Sequence, residues 1–532
     1  MILARHEELL GERRATVDNV RQQIADNLMG RGDFTTKRKP GQNRMSVIYD
    51  DTAKVSAGHL SGAIHSLMMS PVSPWFRQRF EVPDFNDDEE ASRWLSVVEK
   101  RILAAISASR ANFHAQLAPV YHDLVTYGLG VLFVDEVPGQ GVRFSARPLQ
   151  EISLAEDSGG RIDTVSREFE FTARQAVAEW GDRVVLANKD ISAGNFEEKR
   201  TYVHMVFPND DIIVGNLDAS GMKWASVYLS REDRIILDEG GYHEMPYITP
   251  RWEKGAGETY GYGCGWNALS SSLMQNQMRK LRLTAHQKAV APPTMVDSEA
   301  VLPGDTDLSP WAIIPVNNIM SSMTPPIQEV RSASNFQLST EDIVDGRQTI
   351  QNAFHHQLIE LLRDPRMTAT QVLQLDGHMQ RHLAPILGRQ QTEMAEPIID
   401  RVFGIEFRAG RLPPPPPSIS NQNIAVDYEN PIARAQKNSS VQAIITLTNY
   451  ALEASQFDPD IRHVVNIEVG ARQLSEALGA PVEMINPTKE VERRKAAERE
   501  FAAQQAQMQE AVVATDQIAK LAKAAPQPAQ GA

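Results

Sequence analysis

Two long helical patterns flank a Pro-rich insert in this chain, and a third follows a short basic break. The first opens after Gly261-Tyr262-Gly263-Cys264-Gly265 and covers 266–291, where Pro292-Pro293 stops it. Helical periodicity resumes at Glu341, halts at Arg363-Asp364-Pro365-Arg366 and restarts at Thr368 for another long run. At 1.5 Å per residue these are rods of roughly 30–55 Å. Rods of that length do not hide singly in a compact domain. The pattern predicts a chain that builds much of its core against copies of itself.

The first rod carries Leu269, Leu273, Met278 and Leu281 loosely on one side, and Arg279, Lys280, Arg282 and Lys288 make its second half basic. The insert places short apolar runs such as Trp311-Ala312-Ile313-Ile314 between Pro and Gly, which predicts a small strand-containing lobe. The second rod has a capping start at Ser339-Thr340-Glu341-Asp342 and a stripe of Ile350, Phe354, Leu358 and Leu361. The third opens with the capping box Thr368-Ala369-Thr370-Gln371 and continues through Val372, Leu375, Met379, Leu383 and Ile386. Pro385 and Pro397 lie inside it and predict kinks.

Upstream, the pattern predicts a helix over 8–29, a basic loop over 30–43, a helix over 51–69 and a helical stretch over 89–127 broken near Pro119. Asp84, Asn86 and Asp88 alternate as in a calcium loop, but Glu89 replaces the required Gly and Leu95 the final Glu, so helix capping is the better account. The region 129–252 reads as strands, with a hairpin signal at Pro138-Gly139-Gln140-Gly141 and one helix starting after Thr172 as N-cap. Leu412-Pro413-Pro414-Pro415-Pro416-Pro417 is a stiff linker. Helices are predicted beyond it at 431–454, 460–478 and 489–523, with a disordered tail at 525–532.

Composition removes several classes. Cys264 is the one cysteine among 532 residues, so no intrachain disulfide framework exists. The opening residues lack a signal-peptide pattern and no uncharged apolar run is long enough to span a bilayer, which predicts a chain made in the cytosol. The formal charge of −14 disfavours a sequence-reading nucleic-acid binder. It does not disfavour a surface past which nucleic acid slides, because tight phosphate contacts oppose sliding.

Signals for chemistry are sparse. There is no Gly-x-x-x-x-Gly-Lys-Ser/Thr loop. Gly261, Gly263 and Gly265 lack dinucleotide spacing, and close packing at a helix start explains them better. His378 and His382 lie one helical turn apart and support an alternative reading as a metal-dependent hydrolase. However, the general-base Glu of His-Glu-x-x-His is missing, and Arg381 opposes a cation there. His355-His356 point to different sides of a helix and suit surface or interface positions. The sequence therefore assigns no catalytic residue, cofactor or metal.

Several strings carry a resemblance in their order and spacing over roughly residues 1–450. They are Tyr127-Gly128-Leu129-Gly130-Val131-Leu132-Phe133, Ile162-Asp163-Thr164-Val165-Ser166-Arg167-Glu168 and Phe171-Thr172-Ala173-Arg174-Gln175-Ala176. Pro250-Arg251-Trp252, Tyr260-Gly261-Tyr262-Gly263, Gln287-Lys288-Ala289-Val290-Ala291-Pro292-Pro293 and Arg366-Met367-Thr368-Ala369-Thr370-Gln371-Val372 follow. The chain resembles the head-to-tail connector, or portal, proteins of short-tailed, podovirus-type bacteriophages.

That resemblance implies a predominantly helical α+β portal fold assembled as a ring of twelve identical subunits. The wing is expected at 1–264, including the strand-rich insert 129–252. Stem helices are expected at 265–291 and 339–362, with the clip at 292–338 between them. A tunnel loop at 363–367 and a long crossing helix at 368–410 follow. After the linker at 411–430 come a crown at 431–486, a C-terminal helix or barrel at 487–524 and the tail. The implied partners are double-stranded DNA without sequence preference, the terminase large subunit, tail adaptor and tail proteins, and the major capsid protein with its scaffold. The implied location is the capsid portal vertex of the virion, after assembly in the host cytoplasm. Arg363 and Arg366 are the candidate channel cations. Arg279, Lys280, Arg282 and Lys288 are either DNA-facing or paired with acidic residues of adjacent subunits. A ring-forming scaffold without DNA passage is the other alternative.

Overall fold

The computed structural model describes residues 1–38, 41, 44–71, 74–82, 88–213, 216, 218–297, 312–316, 327–329, 336–356, 383–419, 424–428, 441, 443–451, 453, 466–478, 486 and 490–505. Its class is α+β with helix predominant, as the sequence predicts. The chain forms two compact units. One comprises 1–77, 97–414 and 426–432, and the other 78–96, 415–425 and 433–532.

In the first unit the chain is helical from Ile2 to Met29, with two π-helical turns at Arg14–Asp18 and Ala25–Met29. Gly30 ends the run at φ 71°, a left-handed conformation that costs glycine little. The helix Thr52–Met68 buries Ala53, Ala57, Leu60, Ile64 and Met68, the spacing of one helical face.

The helical stretch predicted over 89–127 divides, but not at Pro119. It ends at Ser107 and resumes as Phe113–Tyr127, with Pro119 carried inside the second helix. The break falls in Ser107-Ala108-Ser109-Arg110-Ala111-Asn112, where Asn112 takes φ 57°. Asparagine tolerates that left-handed state better than most residues, so local turn chemistry decides the break.

Five antiparallel strands, Ile152–Glu156, Ile162–Thr172, Lys199–Pro208, Trp224–Ser230 and Ile235–Tyr242, pair in chain order. Successive residues of a strand face opposite ways. Tyr202 joins Phe169 and Leu237 in packing on the helices Ala173–Trp180 and Val185–Ser192, while Val203 joins Val227 and Leu229 against Ile2 and Leu3. The sheet is thus covered on both faces. Thr172 is the N-cap of Ala173–Trp180, as the sequence predicts, and it also forms a full capping box with Gln175. Val185–Ser192 was not anticipated. A smaller sheet pairs Leu132–Val137 with Gly141–Ala146 across the predicted hairpin, and with Tyr247–Ile248.

The helix Cys264–Val290 occupies the first predicted rod, and three short strands, Thr294–Asp297, Ile313–Val316 and Ile327–Glu329, form a sheet in the insert. The second rod is a helix over Phe336–Ala353, followed by His355 at φ 52°. Residues 357–382 lie outside the described residues, and with them the whole segment 363–367 expected as a tunnel loop, including Arg363 and Arg366, and also His378 and His382. The third rod is described from Leu383 and is helical to Arg408, with a π-helical turn at Gln391–Ala395. Pro397 lies two residues beyond the end of that turn. Proline lacks the N–H that would bond to residue 393 and its ring clashes with that carbonyl, so a widened turn is a physical answer to it.

In the second unit, Asp88 Oδ1 accepts from Glu90 N at 3.1 Å at the start of Glu89–Ser107, while 83–87 lie outside the described residues. Residues 443–451 are helical, as is Ile467–Leu478, where Asn466 Oδ1 accepts from Val469 N at 3.2 Å. Residues 490–505 are helical and, after the first two, exposed throughout. Among the described residues no helix is long and apolar enough to cross a membrane.

Candidate functional site

The two rods meet, and polar and small residues take part in joining them. Cys264–Val290 buries Cys264, Gly265, Ala268, Ser272, Gln275 and Asn276, positions that share one helical face. Small residues at the start of that face permit close backbone approach. Gln275 Nε2 donates to the Ile343 carbonyl, and a Cβ on Gly346 would lie 3.0 Å from the Gln275 amide. From the second rod Ile343, Ile350 and Phe354 are buried.

A polar clamp holds this crossing to the N-terminal region. Asn276 Oδ1 accepts from Tyr49 N and Asp50 N, both at 3.0 Å, and Asn276 Nδ2 donates to the Asn27 carbonyl at 2.9 Å. Asp50 Oδ2 then lies 3.0 Å from Arg279 Nε and 2.9 Å from Arg347 Nε. One buried carboxylate therefore pairs with a cation from each rod, offsetting one of the two positive charges.

Beyond Asn276 no residue of the first rod is buried until Ala291. Leu273, Met274, Leu281, Leu283 and Val290 are 40–83% exposed. At 100° per residue, Leu273, Met274 and Leu281 lie within about 100° of one another, opposite the face that holds Ala268, Ser272 and Gln275. The apolar stripe read from the sequence is thus largely unburied within one chain. Val344 of the second rod is likewise exposed.

The base of the first rod is a glycine clasp. A Cβ on Gly263 would lie 2.6 Å from Gly128 N and Val125 O, and one on Gly265 would lie 2.4 Å from Thr126 O. A Cβ on Gly128, at φ 87°, would lie 2.3 Å from the Tyr262 carbonyl carbon. Trp252 N donates to Gly128 O and Gly130 N to Pro250 O, both at 3.0 Å, and Trp266 Nε1 donates to Tyr127 O at 3.2 Å. The sequence strings around 127–133, 250–252 and 260–263 therefore converge in space. Close packing, rather than phosphate binding, accounts for the glycines.

Arg251, almost completely buried, ties this base to the third rod. Its guanidinium donates to Glu393 Oε1 at 2.6 Å, to Glu156 and to the Gly160 carbonyl at 3.0 Å, while its backbone N–H donates to Glu393 Oε2 at 2.9 Å. Its pKa is moved by two opposed effects: burial lowers it, and Glu393 and Glu156 raise it above the ordinary value. Gln390 Nε2 donates to the Arg251 carbonyl at 2.7 Å.

Of the predicted cations, Arg279 is paired with Asp50, Lys280 is exposed, and Arg282 and Lys288 are half-exposed on the free half of the rod. Arg282 Nε contacts His286 Nε2 at 3.4 Å. Sequence reasoning missed Asp50, Asn276, Arg347 and Glu393. It quoted Arg251 within a string but gave it no role. Among the described residues no three His, Cys, Asp or Glu converge as a metal site.

The sequence matches the family model described as bacteriophage head to tail connecting protein over residues 2–485. It is 28% identical over 518 residues to a portal protein of Salmonella phage epsilon15, covering 94% of this chain and 90% of that protein. It is 26% identical over 523 residues to a probable portal protein of Bordetella phage BPP-1, covering 95% and 92%.

Proposed function

The chain belongs to the bacteriophage head-to-tail connecting protein family and has its structural portal role, and from that premise we propose that it forms the DNA-conducting ring at one capsid vertex. The observation that carries this is the match to two phage portal proteins along nearly the whole length of all three chains. The exposed apolar side chains of the first rod support it, because burial against a neighbour is worth about 1.5–3 kcal/mol for each large side chain. Heterologous contacts that close on themselves produce a ring. We assign twelve copies to it.

In this reading 1–264 is the wing, with its strand-rich insert at 129–252. The stem is 265–291 with 339–362, and the clip is 292–338. The tunnel loop at 363–367 carries Arg363 and Arg366 toward the axis, and 368–410 crosses back into the wing. The linker at 411–430 leads to the crown at 431–486 and the C-terminal helix at 487–524. The clip meets the terminase large subunit during packaging and the tail adaptor afterwards. The wing meets the major capsid protein and scaffold.

The role is structural, with ATP hydrolysis belonging to the terminase. A net charge of −14 per chain keeps phosphates from adhering to the channel, while isolated basic rings guide duplex DNA. Pairing with Asp50 gives Arg279 an architectural task. Lys280, Arg282 and Lys288 keep the DNA-facing or intersubunit assignment.

An in vitro packaging reaction tests this. Rings carrying Arg363→Ala and Arg366→Ala should assemble normally but package or retain less DNA. Unchanged packaging would remove the two arginines from the mechanism, and capsids that package fully without the chain would overturn the function.

A further inference from the structure

One buried cation in the N-terminal helical run lacks the hydrogen bonds that a buried cation needs. Arg21 lies on Asn19–Ile24, between the two π-helical turns, and is 0% exposed. Its guanidinium sits over the Tyr260 ring at 5.3 Å. Leu154 N donates to Tyr260 Oη at 3.1 Å and holds that ring in place. A ring face attracts the charge but satisfies none of the five N–H donors. Nε, Nη1 and Nη2 are all buried, and none has a hydrogen-bond partner among the described residues. Asp18, nearly one turn earlier, is equally buried; its Oδ2 accepts from Arg13 Nε at 3.0 Å, while its Oδ1 is unpartnered.

Buried polar groups nearly always find partners, and a bound water or ion supplies them where the chain does not. Charge decides between the two. Burial lowers the Arg21 pKa to about 10, with Tyr260 and Asp18 opposing the shift, so the guanidinium stays charged at neutral pH. Arg13 and Asp18 pair with each other, and Asp123, which also acts on Arg21, is about a third exposed. A water would accept hydrogen bonds and still leave one positive charge uncompensated, a costly state in the interior. An anion supplies both the acceptor and the charge. We propose that Arg21 holds a small monovalent anion of halide or nitrate size, enclosed where the N-terminal helices pack on the base of the first rod. The neighbouring Asp18 carboxylate repels a second negative charge, which excludes sulfate and phosphate. Because the anion binds the folded chain alone, it raises apparent stability.

The test is thermal unfolding of the intact chain in sodium bromide against sodium gluconate at constant ionic strength, with Arg21→Met and Lys280→Met alongside. The native chain should show a midpoint that climbs with each tenfold rise in bromide. Lys280→Met, which removes an exposed cation, should keep that dependence. Arg21→Met should lose it and be at least as stable as the native chain in gluconate. If Arg21→Met fails to fold, crystals of the native chain grown in bromide decide the matter. They should show an anomalous peak within hydrogen-bond distance of the Arg21 guanidinium. A midpoint indifferent to bromide, a dependence that survives Arg21→Met, or a guanidinium surrounded by ordered water alone would overturn the site.

Discussion

Arg279 Nε lies 3.0 Å from Asp50 Oδ2 in the same chain, across 229 positions of sequence, and the carboxylate is 3% exposed. Arg347 reaches the same oxygen from the second rod. A cation expected at a channel wall or a subunit boundary thus fastens its helix to its own N-terminal region. Removing one partner of a buried ion pair costs about 3–5 kcal/mol, whereas exposed pairs are worth about 0–1 kcal/mol. The two arginines are about a third exposed, so the pair falls between these limits.

Asp50→Asn should therefore destabilise the chain by about 1–3 kcal/mol, read from urea unfolding. Arg279→Ala should cost less, because Arg347 remains on Asp50. An Asp50→Asn chain as stable as the native one would show that the crossing does not depend on this carboxylate.

The glycine clasp makes an opposite pair of predictions. At Gly128, left-handed backbone costs an alanine about 1–2 kcal/mol, and overpacking against 261–263 adds about 1–3 kcal/mol. Gly128→Ala should lower the unfolding midpoint sharply or leave the protein insoluble. At Gly58, inside Thr52–Met68, a Cβ meets nothing within 4 Å. Gly58→Ala should be neutral or stabilise by up to about 1 kcal/mol. Thermal unfolding of the two variants side by side checks the contrast.

Buried His204 gives a pH signature. Its Nδ1 is 2.7 Å from Tyr247 Oη, its Nε2 is 3.0 Å from Ser226 Oγ, and Tyr228 stacks on it at 3.9 Å. Burial chiefly, with Arg167 and Arg147, holds its pKa well below the ordinary value. As pH falls through about 6.5 the unfolded chain takes up a proton that the folded chain refuses. Stability from this group is complete above that range and declines below it, by up to about 1.4 kcal/mol per pH unit. Unfolding measured from pH 7.5 to 5.5 should show this slope, and His204→Gln should flatten it.

How far these features are legible in the sequence depends on their range. The first rod is legible because its limits are backbone signals: the glycines before it and Pro292-Pro293 after it. Thr172 is legible because an N-cap is local. The buried face of the rod is not, since Ala268, Ser272, Gln275 and Asn276 carry no apolar period; the apolar residues mark the face the single chain leaves open. Asp50, Arg347 and Glu393 act across long stretches of chain, and no short pattern records such pairing. Pro119 misled because Asn112, seven residues earlier, offers an easier place to turn. Arg363 and Arg366, outside the described residues, rest on the resemblance alone.

The central claim is that the open face of Cys264–Val290 is a contact between copies in a ring around DNA. Electron microscopy of the purified chain, with Leu281→Asp as comparison, tests it most directly. The account predicts rings with an axial opening wide enough for duplex DNA, and a Leu281→Asp chain that keeps its helix content but closes few rings. Compact monomers or dimers from the native chain would contradict it.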